Sequence, residues 1–366
     1  MTRMSLIMLL FMRSFLAAAQ VLVPFVTDDG HFMVHADGRF ERLEREPPIR
    51  VIAQEGQVVY VDGQGRLKVF LQEGRRLHLL HDTPVDHLQG AGQRVAWSSG
   101  DSLYVLREGR AVLAATQVER FEVADSMIVV HDREHQSLEV LWRGQHIPIA
   151  DVSLGTERPQ WRSGSNVVTF LDKSSRKLFL YEAGRVTVLT DSTDVGIVAT
   201  GGGVVGYWDD RADRFMVHER GKDHVVSELR PVSVKTGEGV LAFVDGIGKL
   251  RCWQGGQLHT VSNKPPTDYW VEDSLLLYVT EGNLELFGPH GTMTVESYVP
   301  ERWLVNGGLL VYLNLDRELY AIELGKRKRV GNEGAIPTFD LFGNAVLYRS
   351  PSGPWTIIRK GRSALY

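Results

Sequence analysis

One feature limits the folds open to this chain more than any other: a single pattern returns about every 36 residues along its 366 residues. In each copy an apolar strand ends at an aromatic or aliphatic anchor, and a polar turn follows. A second apolar strand, a glycine-centred turn and a third strand complete the copy. The anchors are Phe25, Tyr60, Trp97, Val130, Phe170, Tyr207, Phe243, Tyr278, Tyr312 and Tyr348, spaced by 35, 37, 33, 40, 37, 36, 35, 34 and 36 residues. A second landmark keeps the same phase: Gly38, Gly74, Gly109, Gly144, Gly184, Gly221, Gly255 or Gly256, Gly291, Gly325 and Gly361. Tight hairpins need a residue at positive φ, which glycine adopts without steric cost. The polar turn often carries an aspartate (Asp62, Asp132, Asp172, Asp209, Asp245), whose carboxylate can satisfy turn amides.

Between copies lies a further short segment with an aromatic in phase, at Phe121, Trp161, Trp270, Trp303 and Phe339. It supplies a fourth strand. Four strands in each repeat, short turns and no helical periodicity specify one blade of a propeller. The expected fold is therefore all-β, a β-propeller of about ten short four-stranded repeats of roughly 36 residues, filling 20–366. A blade exposes apolar faces that only its neighbours can cover, so the array must stack and preferably close. The period allows one ten-bladed ring, two five-bladed rings or a smaller ring with some units misread. The first copy begins at its second strand, so blade one has three strands or borrows one. The recurrent aromatics read as core between blades.

The stretch PQWRSGSNVVTFLDKSSRKLFLYEAGRVTVLTD, 159–191, resembles the WD40-like (PD40) repeat of TolB-type β-propellers. It has the Pro and Trp opening, a Ser-Gly turn, a strand ending in Phe, a Leu-Phe strand, a Gly turn and a closing Leu-Thr. The resemblance implies a periplasmic or surface interaction platform. TolB-type proteins also carry an α/β domain that these residues do not contain, so their partners are not carried over.

Residues 1–19, MTRMSLIMLLFMRSFLAAA, have the layout of a cleavable export signal: an early cation, an apolar stretch and small residues before Gln20. The expected location is periplasmic, extracellular or on the cell surface. No segment is apolar for long enough to span a membrane as a helix. Removing the signal takes the net charge from -4 to -6, which gives no field to gather nucleic acid. Cys252 is the only cysteine, so no intrachain disulfide forms, and its strand setting makes it a small core hydrophobe.

Signals for chemistry are sparse. His31 with His35, and His131 with His135, are spaced four apart, and His78, His81 and Asp82 lie close in sequence. Residues four apart on a strand sit roughly 13 Å apart, too far to share a metal unless a turn folds them together. The hairpin tip His131-Asp132-Arg133-Glu134-His135 is the best such candidate, but neither a metal set nor a cofactor is expected. No Gly-x-Ser-x-Gly elbow occurs, and VDGIGKLRCW at 244–253 is a single copy of a quinoprotein-like signature. Most aspartate turns hold a nearby cation (Asp62 with Arg66, Asp172 with Lys173 and Arg176, Asp209 with Arg211, Asp245 with Lys249), which argues against calcium.

Cations gather in the later turns of the last two copies, Lys326, Arg327, Lys328 and Arg329, then Arg359, Lys360 and Arg362, and at Arg39 and Arg42 in the first. Closure of the ring would merge them into one basic patch suited to an anionic surface. The expected function is a non-catalytic exported scaffold that binds a protein or glycan. The alternative is a carbohydrate-active hydrolase or lyase with acids at the channel mouth.

Overall fold

The computed structural model describes residues 21–151, 160–172, 175–191, 198–331, 336–351 and 353–366. The proposed export signal, Pro159, Lys173 and the opening of the TolB-like stretch before Gln160 lie outside these. The described residues form ten antiparallel meanders, nine of four strands and one of three. Apart from a 3₁₀ turn at Glu73–Arg75, they contain no helix. The three-stranded sheet is blade one (Val23–Val26, Phe32–Ala36, Arg39–Glu44), so it lacks an inner strand among the described residues.

The first strands of neighbouring sheets pack on one another, for example Val198–Thr200 against Ser233–Thr236, and Arg50–Gln54 against His87–Ala91. These are the inner strands, and the fourth strand of each sheet forms the rim. All ten anchors lie in the strand next to the inner position and are buried. Alternation puts each anchor on one face of its blade and its neighbours on the other, so both faces need cover. The cover comes from ten apolar clusters, one at each junction between blades. The tenth joins Ala345, Leu347 and Ile357 of the last blade to Val23, Phe25 and Met33 of the first. The described blades therefore form one closed ring, which excludes two five-bladed rings.

The junctions are also tied by polar groups on the inner strands. Gln54 Nε2 donates to the Arg94 carbonyl at 2.9 Å, and Trp161 Nε1 donates to Glu122 at 2.9 Å. Trp303 Nε1 donates to Glu272 at 3.1 Å, and Arg302 to Thr338 Oγ1 at 2.7 Å. The inner aromatics are thus packing groups that also fasten one blade to the next.

Most outer hairpins turn on two residues that both have positive φ, such as Glu108 and Gly109 (48° and 72°) or Lys360 and Gly361 (48° and 76°). That is the geometry of a primed turn, and it explains the phase of the glycines. In blades one to eight the strand after the anchor strand carries, at or next to its start, a buried Leu or Phe followed by a β-bulge, as at Leu67/Lys68 and Leu138/Glu139. Blades nine and ten pair without that shift.

Candidate functional site

Closure determines which rim strands become neighbours. Phe40, beside Arg39, has its ring 5.1 Å from that of Tyr366, which follows the last strand Arg362–Leu365. Blades nine and ten share a core built on Leu319, Phe339 and Tyr348. Three cation-bearing rim strands thus become consecutive: Lys326–Arg329, Arg362–Leu365 and Arg39–Glu44.

The nine sequence candidates divide by orientation. Arg39, Arg42, Lys326, Lys328, Lys360 and Arg362 are exposed, and none forms an ion pair among the described residues. Arg327 is also exposed, but it pairs with Glu296 and lies 4.2 Å over the Tyr320 ring. Arg329 pairs with Glu318 at 2.9 Å. Arg359 departs from expectation: it is half-buried, and its guanidinium donates to the Val21 carbonyl across the closing junction. Strand alternation causes this, because Arg359 precedes the turn and faces blade one while Lys360 and Arg362 face out. The acids on the first blade's rim strand turn away: Glu41 pairs with Arg75 at 3.0 Å, and Glu44 accepts from Tyr60 at 2.8 Å and pairs with Lys68. The rim strands of blades two, three, five and six are mixed: Leu77, Leu79, Val112, Leu113, Val186, Val188 and Val225 are exposed, and each strand opens on one exposed cation, Arg76, Arg110, Arg185 or Lys222.

Two clefts lie between neighbouring blades, one of them at the edge of this patch. One of about 510 Å³ lies between blades one and two, lined by Arg42, Glu44, Arg45, Asp62 and Arg66. Burial pushes the Asp62 carboxyl up, but hydrogen bonds from Lys68, Arg66 and the turn amides outweigh it and bring the pKa to about 2. The other, about 440 Å³, lies between blades three and four, with Arg94 and Arg107 over a wall of Val105, Val112, Ile128 and Leu141. Burial, then repulsion from Arg107, lowers the Arg94 pKa.

The aspartate turns behave as expected in their amides. Asp62 Oδ1 accepts from Gln64 and Arg66 amides at 2.9 and 3.0 Å, and Asp245 Oδ1 from Ile247 and Lys249 amides at 3.1 and 2.9 Å. The side-chain partners differ in part. Arg66 does pair with Asp62, at 2.8 Å, but Asp245 takes Arg251, also at 2.8 Å, and not Lys249. Asp209 accepts from Thr190 Oγ1 at 2.8 Å and meets Arg211 only through its amide. Cys252 is buried between blades seven and eight, and burial pushes its thiol up to about 12.

The histidine pairs separate. His31 Nδ1 meets the Arg45 carbonyl at 3.2 Å, whereas the His35 ring sits 4.8 Å from that of Phe40. His131 pairs with Glu119 at 3.3 Å. His135 Nδ1 is instead 2.9 Å from Asp132 Oδ2, and His146 Nδ1 is 3.1 Å from Glu139 Oε2. Glu139 and His146 escaped the sequence reading; strand pairing of Leu141 with His146 places them together, and that register could have been drawn from the hairpin turn. Between blades five and six, buried His218 bridges Asp223 at 2.8 Å and Glu182 at 3.4 Å, and the Asp223 bond, foremost, raises its pKa.

At the end of the axis formed by the inner hairpins, backbone meets backbone. The Gly202 amide donates to the Gly237 carbonyl at 2.9 Å, and the Glu238 amide to that of Asp273 at 2.7 Å. The carboxylates there are engaged: Glu238 accepts from Ser165 Oγ, and Asp273 Oδ2 from the Gly308 amide at 3.0 Å.

Residues 16–363 match the family described as a 10-bladed beta propeller domain. No curated protein matches the chain. Similar solved structures include the computationally designed Ika8 protein, at 11% identity and TM-score 0.38, covering 86% of this chain and 94% of that one. The CRINKLY WD40 ectodomain of the Arabidopsis thaliana receptor kinase ACR4 is 12% identical with TM-score 0.36, over 67% of this chain and 96% of that one. PorZ, a surface component of the type-IX secretion system of Porphyromonas gingivalis, is 10% identical with TM-score 0.29, over 92% of this chain and 57% of that one.

Proposed function

This chain belongs to the 10-bladed β-propeller domain family, and on that premise we propose that it is an exported, non-catalytic scaffold whose rim holds an acidic polysaccharide. The observation that carries this reading is the row of six exposed cations without ion pairs on blades nine, ten and one. A row along successive strands suits an extended polyanion better than a point ligand, and it stands on a chain of net charge -4. The rim strands fix the backbone positions from which the cations project. The export-signal layout of residues 1–19 and the TolB-like wording of blade five support a role outside the cytoplasm. A glycosidase would instead use a converging acid pair in an axial pocket. Glu238 and Asp273 at the axis are held by the hydrogen bonds between inner turns.

Heparin serves as the probe. The chain is expected to be retained at low ionic strength and released by salt, because exposed charges are screened. A variant carrying Arg39→Ser, Arg42→Ser, Lys326→Ser, Lys328→Ser, Lys360→Ser and Arg362→Ser is expected to flow through with an unchanged melting temperature. Failure of the native chain to bind, or equal retention of the folded variant, would overturn the reading. Retention by an acidic protein but not by heparin would replace the glycan with a protein partner.

A further inference from the structure

We propose that blade four carries a binding site for one divalent transition-metal ion of the zinc class, formed by Asp132, His135, Glu139 and His146. The strands Met127–Asp132, Ser137–Trp142 and Gln145–Asp151 bring these side chains together on the face of the blade that looks toward blade three. Ligand atoms of Asp132, His135 and Glu139 all lie within 4.8 Å of one another. His146 Nδ1 lies 3.1 Å from Glu139 Oε2, at the edge of that set, and is the donor assigned to its fourth position. Two imidazoles and two carboxylates are a donor set that zinc accepts in tetrahedral geometry.

Comparison among blades supplies the reason to expect a cation. At the same turn Asp62 is neutralised by the permanent charges of Arg66 and Lys68 and Asp245 by that of Arg251, while Asp209 is held by the Thr190 hydroxyl and turn amides and has no second carboxylate in its set. In blade four imidazoles are the only ionisable groups that pair with the two carboxylates, and no Lys or Arg among the described residues pairs with either. An imidazole that gives up its Nδ1 proton becomes a ligand, so one metal ion can replace the two His–carboxylate hydrogen bonds and supply the missing charge. The set is also braced from behind. Asp132 Oδ1 is fixed by the His135 amide at 2.9 Å, which leaves Oδ2 for the metal, and Ser137 Oγ donates to Glu139 Oε1 at 3.0 Å, which leaves Oε2. Such outer bonds orient ligands before binding. His131 takes no part: it lies on the opposite face of its strand and pairs with Glu119.

The test is calorimetric titration of the full chain, stripped with chelator, with zinc chloride. One ion is expected to bind per chain, with no comparable binding of magnesium or calcium, which prefer oxygen ligands. His135→Ala with His146→Ala is expected to weaken binding by at least about tenfold, since even outer-shell changes cost that much. His131→Ala, with the site untouched, is expected to bind as the native chain does. Failure to bind zinc, or native affinity in the double variant with its circular dichroism unchanged, would overturn the proposal. An equal loss in the His131→Ala variant would also overturn it, by placing the ion elsewhere.

Discussion

Replacing Phe25 by alanine is expected to cost about 3–5 kcal/mol of stability and to loosen the ring at one seam. Phe25 is buried, and its ring lies 5.9 Å from Phe40, 5.6 Å from Trp355 and 5.3 Å from Tyr366. It is therefore an apolar link between the first and last blades, backed by Val23 and Met33 against Ala345, Leu347 and Ile357. The described strands of blades one and ten share no ladder, so side-chain packing, the Arg359 bond to the Val21 carbonyl and the Asp28–Arg349 ion pair, with Nη2 to Oδ2 at 2.6 Å, carry the closure. In a ring of repeats each blade is stabilised by its two neighbours, so damage at one seam spreads first to the blades beside it. Urea unfolding measures the total loss. Hydrogen exchange locates it: amides of Ala345–Arg349 are expected to lose protection while those of Val204–Asp209 keep theirs.

The second large effect is expected at Gly237. A Cβ on this residue would stand 2.1 Å from the Asp273 carbonyl oxygen and 2.8 Å from Val271 Cγ1. The obstacle is mainly backbone, so a rotamer change cannot clear it. Gly237→Ala must push apart the inner hairpins of blades seven and eight, and with them the Glu238-to-Asp273 bond at 2.7 Å. The expected cost is at least about 1–3 kcal/mol, seen as a fall in melting temperature. Gly201 and Gly164 meet the next blade in the same way, with a Cβ 2.4 Å from the Gly237 oxygen and 1.8 Å from the Gly201 oxygen. These glycines are needed for close approach at the axis, whereas those of the outer turns are needed for their positive φ.

The repeat could be read from sequence because two of its requirements are local. A buried anchor recurs where each second strand crosses the core, and a glycine recurs where a primed turn needs it. Closure is not local: Arg349 and Asp28 are 321 residues apart, and no window of sequence joins them. The bulges were also hidden. At Leu138/Glu139 an extra residue on the fourth strand shifts the pairing beyond Glu139 and Pro148, and nothing in the sequence marks it. Glu139 and His146 went unnoticed for another reason: they lie seven residues apart on facing strands, and only counting the register back from the turn brings them together. Arg359 was misplaced for a related reason, since proximity to Lys360 in sequence says nothing about which face of the strand it takes. Lys249 gave way to Arg251 because the turn presents the amide of Lys249 to Asp245, and the strand presents the side chain of Arg251.

The closed ring, and the rim it assembles, can be tested by joining its ends. In the full chain carrying Asp28→Cys and Arg349→Cys, with Cys252 wholly buried, a short bismaleimide has two accessible thiols at the seam. Closure requires an intramolecular link between the peptides holding positions 28 and 349, formed in the monomer at every protein concentration and identified by mass spectrometry. Chains modified separately at the two positions, or linked only between molecules, would contradict it.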